Sequence, residues 1–144
     1  MFNERMIYPF LNPCAGAAFK PSDQSLTSSV LGDGGIYSSV LDMARWDQAL
    51  AANKLLGRRL QQLAFTPGPE TEHPNTRYGF GWYIGEYHGL KEIWHSGNSM
   101  GFTTRIARFP EKQFTVIILA NRTDAALDEI PHRIADLYLF NPKD

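Results

Sequence analysis

A single cysteine, Cys14, stands in 144 residues, so no disulfide can form within the chain. Cysteine usage therefore gives no argument for a disulfide-stapled secreted domain. Cys14 lies among Pro9, Pro13 and Pro21, far in sequence from any histidine, and reads as a small apolar residue rather than a nucleophile. Excess charge is also missing: 14 Lys and Arg against 15 Asp and Glu leave a net charge of −1. Such a chain has no bulk field to attract nucleic acid or anionic lipid, and neither is expected as a partner. No run approaches the roughly 20 apolar residues of a membrane span. The stretch 6–19 is fairly apolar, but Glu4, Pro9, Asn12 and Pro13 interrupt the block, which is read as an irregular segment rather than a targeting signal. The four histidines (His73, His88, His95, His132) show no H-x-H or H-E-x-x-H spacing, so no metal site is expected. Asp33-Gly34-Gly35 lacks the strand and helix of a phosphate loop and reads as a tight turn. No cofactor is expected.

What is present fits a globular chain: 43% hydrophobic and 20% charged residues, enough apolar material to build a core. Residues 1–35 are irregular, punctuated by proline and by Gly32-Asp33-Gly34-Gly35. That opening suggests a segment that leans on something else, or a chain that begins within a domain. Residues 36–66 are helical in pattern. Ser39 with Asp42 makes a capping-box-like start. Val40, Met43, Ala44, Trp46, Leu50 and Ala51 fall on one broad face. A second short helix, 58–65, turns Leu60, Leu63 and Ala64 inward until Thr66-Pro67-Gly68-Pro69 stops it. Residues 68–77 form a polar loop.

From Tyr78 the period becomes two. Tyr78, Phe80, Trp82 and Ile84 alternate with Gly79, Gly81, Tyr83 and Gly85, which predicts a strand with another backbone packed closely against it. A hairpin at 87–90, a return strand at 91–96, a break at 97–101, a strand at 102–109 and the apolar strand 114–120 follow. The density of Phe114-Thr115-Val116-Ile117-Ile118-Leu119-Ala120 predicts a central strand covered on both faces. Residues 123–139 return to helical spacing, with Pro131 in the first turn or at a kink. Helices, then an antiparallel meander over 78–121, then a terminal helix make an α+β arrangement within one partial domain.

The densest reactive cluster is Trp94-His95-Ser96-Gly97-Asn98-Ser99-Met100-Gly101-Phe102. One reading takes Gly97-Asn98-Ser99-Met100-Gly101 as G-x-S-x-G, the elbow that exposes a nucleophilic serine between a buried strand and a helix. Ser99 would then work with Asp124 or Asp128 and with His132, as an α/β-hydrolase-like esterase. The flanks argue against it: residues 91–96 are mostly polar, and Phe102-Thr103-Thr104-Arg105-Ile106-Ala107-Arg108-Phe109 has strand rather than helix character. The other reading places His95, Ser96, Gly97 and Asn98 on a strand bordering a site. Gly97 admits close approach to the backbone, the Asn98 N–H helps stabilise an oxyanion, and His95 supplies a donor or an acid/base group near neutral pH. Trp82 and Tyr83 are expected beside that strand, lining a cleft, though tryptophans are as readily core. His73 and His88 read as solvated loop residues.

These segments resemble, in order, the C-terminal half of the serine β-lactamase-like hydrolases, the family around penicillin-binding proteins, class C β-lactamases, D-aminopeptidases and related esterases. Gly34-Gly35-Ile36-Tyr37-Ser38-Ser39 with Asp42-Met43-Ala44-Arg45-Trp46 is similar to its "GGxxST…DLAKW" segment. Tyr78-Gly79-Phe80-Gly81-Trp82 is similar to "YGxGW", and His95-Ser96-Gly97 with Gly101-Phe102 to "HxGxxxGF". Phe109-Pro110-Glu111 and Val116-Ile117-Ile118-Leu119-Ala120-Asn121 resemble its closing hairpin.

The resemblance implies a β-lactamase/transpeptidase-like fold and acyl transfer through a serine ester, on an amide or ester such as a β-lactam, a D-amino-acid peptide or a small ester. It implies that His95, Ser96 and Gly97 match the family's K-T-G or H-x-G strand, with the Asn98 N–H in the oxyanion hole. The family's S-x-x-K and Y-x-N motifs are missing: no serine has a lysine three residues on, and no tyrosine has an asparagine two residues on. The expectation is a chain inactive alone, completed by an N-terminal half or self-associating through its open edge. A non-catalytic binding module that kept the cleft strand is the alternative.

Overall fold

The computed structural model describes residues 32, 34–99, 101–122 and 125–140. Cys14 and nearly all of the irregular segment 1–35 lie outside the described residues. The first helix, α1, spans Val40–Ala51. It starts as the sequence requires: Ser39 is extended (φ −108°, ψ 159°) and its Oγ accepts the Asp42 N–H at 3.2 Å, satisfying a donor that the first turn leaves open. Asp42 in turn accepts from Arg45 Nη1 at 2.7 Å. The Ser39 hydroxyl foremost, then Arg45, holds the Asp42 carboxyl below its ordinary range. Helix α2 spans Arg58–Ala64.

Five strands follow: β1 (Arg77–Tyr78), β2 (Tyr83–Tyr87), β3 (Leu90–Ser99), β4 (Phe102–Phe109) and β5 (Phe114–Ala120). They form one sheet in the order β1-β2-β3-β4-β5, each antiparallel to its neighbour. Helix α3 (Ile130–Ala135) and a π-helical turn (Asp136–Phe140) close the described chain. The α+β class is as the sequence indicates. Among the described residues no helix is long and apolar enough to cross a membrane.

Strand alternation puts the helices on opposite faces. Asp47 of α1 reaches Arg108 and Thr115, a directly paired couple on β4 and β5. His132 of α3 reaches Glu92, and the ring of Tyr138 meets Phe114; each of these lies one position away from the α1 face. The core under α1 consists of Leu50, Trp82, Ile84, Ile93 and Ile106, joined by Phe65 and Ile117. On the α3 side Phe109 is fully buried, as are Pro131 and Ala135 of α3 itself.

Four expectations are corrected. Residues 78–85 are not one strand: β1 and β2 pair with each other, Tyr78 opposite Tyr83, and Gly79-Phe80-Gly81-Trp82 turns between them, with Gly81 at φ +76°. The expected close packing falls on this turn, since a Cβ at Gly79 would stand 2.3 Å from the Ala64 carbonyl oxygen. Strand β3 does not break at Gly97 but runs to Ser99, and Gly101 (φ +80°) lies in the tight turn before β4. Strand β5 is at the edge of the described sheet, not its centre. The last helix begins at Ile130 rather than 123, with Pro131 in its first turn, where a missing N–H costs nothing.

The inward faces of α1 and α2 are also narrower than the periodicity indicates. Leu50 and Ala64 are buried, whereas Val40, Leu60 and Leu63 are about half exposed (49%, 54% and 51%). Each helix meets the rest of the described chain on one side only, so the remainder of its apolar stripe stays at the surface.

Candidate acyl-transfer site

The sheet register isolates the motif strand. Strand β2 pairs with β3 over Tyr83–Tyr87 against residues 90–94, and stops opposite Trp94. From His95 onward β3 continues along β4, with His95 opposite Ile106, Ser96 opposite Arg105, Gly97 opposite Thr104 and Asn98 opposite Thr103. The stretch His95-Ser96-Gly97-Asn98 therefore projects past the neighbouring strand. Alternation sends His95 and Gly97 to the α1 face, Ser96 and Asn98 to the other. His95 and Gly97 are half-buried; Ser96 and Asn98 are exposed. At Gly97 a Cβ would meet Thr104 Oγ1 at 2.7 Å, so the motif glycine is fitted to its cross-strand neighbour.

His95 is held from the side. Its Nε2 lies 3.1 Å from Tyr78 Oη. A two-residue strand would normally place a side chain loosely, but β1 is fastened on both edges. It pairs with β2 on one side, and on the other the Tyr78 N–H donates to Pro69 O (2.9 Å) while the Gly68 N–H donates to Tyr78 O (3.0 Å). The Tyr78 ring meets Tyr83 edge-on at 4.7 Å.

Tyr83 stacks on Trp94 (4.1 Å, 14° between planes), and the His73 ring packs edge-on against both, at 5.1 and 5.0 Å. The Arg105 guanidinium lies 3.8 Å over the Trp94 ring and pairs with Asp128 at 3.1 Å. Burial foremost, with the Glu72 charge and Tyr78 behind it, pushes the Tyr83 phenol up from its ordinary range, so it stays protonated near neutral pH. Burial likewise lowers the Arg105 pKa, against the pull of Glu92 and Asp128.

Of the two expected cleft residues, Tyr83 belongs to this aromatic group next to His95. Trp82 does not line a cleft: it is buried in the core, stacked on Trp46 and edge-on to Phe65. Two neighbours of the site escape a reading of the sequence. Tyr78 sits 17 positions before His95 and joins it only through the β1–β2 turn. His73, expected in a solvated loop, packs on Tyr83 and Trp94 because the Thr71 hydroxyl bonds Thr76 O (3.0 Å) and accepts the His73 N–H (3.1 Å), folding the loop back on the sheet.

Of the serine-elbow constellation, Asp124 lies outside the described residues, and Ser99 and His132 are not brought together. Ser99 ends β3 and is followed by a turn into another strand, not a helix. His132 is engaged 2.9 Å from Glu92, seven residues back along β3, which is roughly 23 Å at a strand rise of about 3.3 Å per residue.

Residues 6–139 match the Beta-lactamase family, and the chain belongs to that family. It is similar to penicillin-binding protein 4* of Bacillus subtilis (strain 168), with 29% identity over 113 residues, covering 77% of this chain and 25% of that protein. It is similar to the unguisins hydrolase ungD' of Aspergillus campestris (strain IBT 28561), with 29% identity over 112 residues, 73% of this chain and 21% of that protein. Among solved structures, the octameric penicillin-binding protein homologue from Pyrococcus abyssi shares the fold, with a TM-score of 0.78 at 24% identity over 96% of this chain and 32% of that one. The chain thus spans about a quarter of the length of the curated relatives it matches.

Proposed function

We propose that this chain supplies one wall of the acyl-transfer pocket of a serine hydrolase, and that the attacking hydroxyl comes from another polypeptide segment bearing S-x-x-K. The observation that carries the reading is the projection of His95-Ser96-Gly97-Asn98 past the end of β2, with His95 half-buried against Tyr78. In this reaction a serine Oγ attacks the carbonyl carbon of an amide or ester. The serine proton passes to the leaving nitrogen or oxygen as its bond to carbon breaks, and water then cleaves the acyl ester. The backbone N–H after the motif glycine, that of Asn98, faces the oxygen that becomes negative. Tyr83, neutral and rigidly stacked, borders the same pocket. The absence of S-x-x-K and Y-x-N from the sequence supports a division of labour. So do the apolar side chains left exposed on α1 and α2 (Leu41 67%, Leu60 54%, Leu63 51%), which fit packing against further polypeptide.

The test compares the purified chain with the same chain co-expressed with the S-x-x-K-bearing portion of a family member. Turnover of an activated ester and fluorophosphonate labelling are expected only from the pair, and both fall when His95 becomes alanine. Turnover by the pure chain, with label on Ser99, would overturn the reading. Saturable binding of a β-lactam by the chain, with no turnover from either preparation, would instead support the alternative, a non-catalytic binding module.

A further inference from the structure

We infer that Tyr78 is the positioning residue of His95. Its phenol donates to Nε2 and holds the imidazole as the Nδ1–H tautomer. The inference rests on the proposed place of His95 in the pocket, but it concerns the ring itself and is read without any activity.

The geometry begins with the 3.1 Å separation of Tyr78 Oη and His95 Nε2, a normal hydrogen-bond length. A neutral imidazole carries one proton, so Nε2 either donates it to the phenol oxygen or accepts the phenol proton. A phenol hydroxyl is the better donor and an imidazole nitrogen the better acceptor, which orients the bond from Tyr78 to Nε2. The proton of the neutral ring then resides on Nδ1.

Tyr78 is unable to swing away. Both of its backbone polar groups are engaged by residues 68 and 69. The next residue, Gly79, is packed so tightly on the end of α2 that no Cβ fits, and the Tyr78 ring is flanked by Tyr83. That much constraint on a two-residue strand fixes the phenol, and with it the plane and tautomer of His95. The consequence for chemistry is definite: in the neutral ring the nitrogen not held by the phenol presents an N–H. His95 therefore enters a substrate contact as a donor and not as a lone-pair base.

The full chain, labelled with 15N at histidine, gives the tautomer directly from two- and three-bond 1H–15N correlations at mildly alkaline pH, with His95→Gln assigning the signal. The expected result is the Nδ1–H form in the wild type. In Tyr78→Phe, which keeps the ring and loses the hydroxyl, the tautomer ratio should shift about fivefold toward Nε2–H, the form free histidine prefers; this is the factor that a hydrogen bond of about 1 kcal/mol carries. A purely packing role for Tyr78 would leave the ratio unchanged, and that result overturns the inference. Nε2–H in the wild type overturns it as well, whatever Tyr78→Phe does. Failure of the complementation assay leaves the tautomer result standing, so the two proposals fall separately.

Discussion

The Asp47 carboxylate on α1 and the Arg108 guanidinium on β4 form a buried ion pair, with side chains 13% and 6% exposed. The second Asp47 oxygen accepts from Thr115 Oγ1 at 3.0 Å, and the guanidinium also lies over the rings of Phe65 and Trp82. One carboxylate thus ties the helix to two strands at a directly paired position. Truncating it leaves a cation in a nearly dry setting, a change that costs about 3 kcal/mol. Asp47→Ala is expected to lower stability by that amount in urea unfolding. A loss below about 1 kcal/mol would mean that the pair behaves as a surface contact.

At the motif glycine two effects oppose each other. Replacing Gly97 by alanine removes backbone freedom from the unfolded chain, a gain of about 0.5–1 kcal/mol. The new methyl would meet Thr104 Oγ1 at 2.7 Å, and overpacking of that kind costs about 1–3 kcal/mol, so the clash wins. Gly97→Ala should destabilise, and Thr104→Ala in the same chain should restore most of the loss. The check is a double-mutant cycle; additive effects would show that the two residues are not fitted to each other.

Gly79 should be less tolerant. The nearest atom to a new Cβ is the Ala64 carbonyl oxygen at 2.3 Å, with Ile84 Cδ1 at 2.9 Å, and a backbone carbonyl cannot rotate aside. Gly79→Ala is expected to cost about 3 kcal/mol and to loosen α2. Gly57, with nothing within 4 Å of a new Cβ, is the control: as the N-cap of α2, it should lose no more than about 1 kcal/mol on change to alanine. Thermal melts of the two variants side by side decide the matter.

The C-terminal helix predicts an alkaline limit. The Tyr87 hydroxyl donates to Asp136 Oδ1 at 2.9 Å, and its ring stacks on His132 at 3.9 Å. Burial foremost, then the hydrogen bond to Asp136 and the charges of Asp136 and Glu92, raises the Tyr87 pKa above its ordinary value. The folded state therefore keeps the phenol proton longer than the unfolded chain does. That contribution to stability is complete below about pH 10 and declines as pH climbs through the higher folded value. Tyr83 shifts in the same direction, so the comparison must isolate Tyr87. Tyr87→Phe should be less stable at neutral pH by about 1 kcal/mol, and its urea midpoint should fall less steeply above about pH 10. Parallel curves would remove Tyr87 from the account.

Local chemistry made parts of this fold legible. Ser39 and Asp42 announce the start of α1 because a cap is satisfied within three residues. The turn residues between β4 and β5 and the spacing of Leu127, Ile130 and Ile134 near α3 act over similarly short distances. The motif strand was legible as a candidate because His95, Ser96, Gly97 and Asn98 are contiguous. The turn at 79–82 was not. An aromatic at every second position reads as a strand, and only the contact of Gly79 with the end of α2, far along the chain, bends it into a hairpin. The edge position of β5 in the described sheet was hidden for the same kind of reason: apolar density reports burial, not the order of strands.

The residues alone determined the α+β pattern and which segment is the candidate site, because capping, side-chain alternation and motif spacing are properties of neighbours in the chain. Tertiary structure alone decided that Tyr78 meets His95, that Trp82 is core, and that Ser99 and His132 lie far apart. Those relationships depend on the register of paired strands and the packing of a glycine against a distant carbonyl, and neither is encoded at any single position.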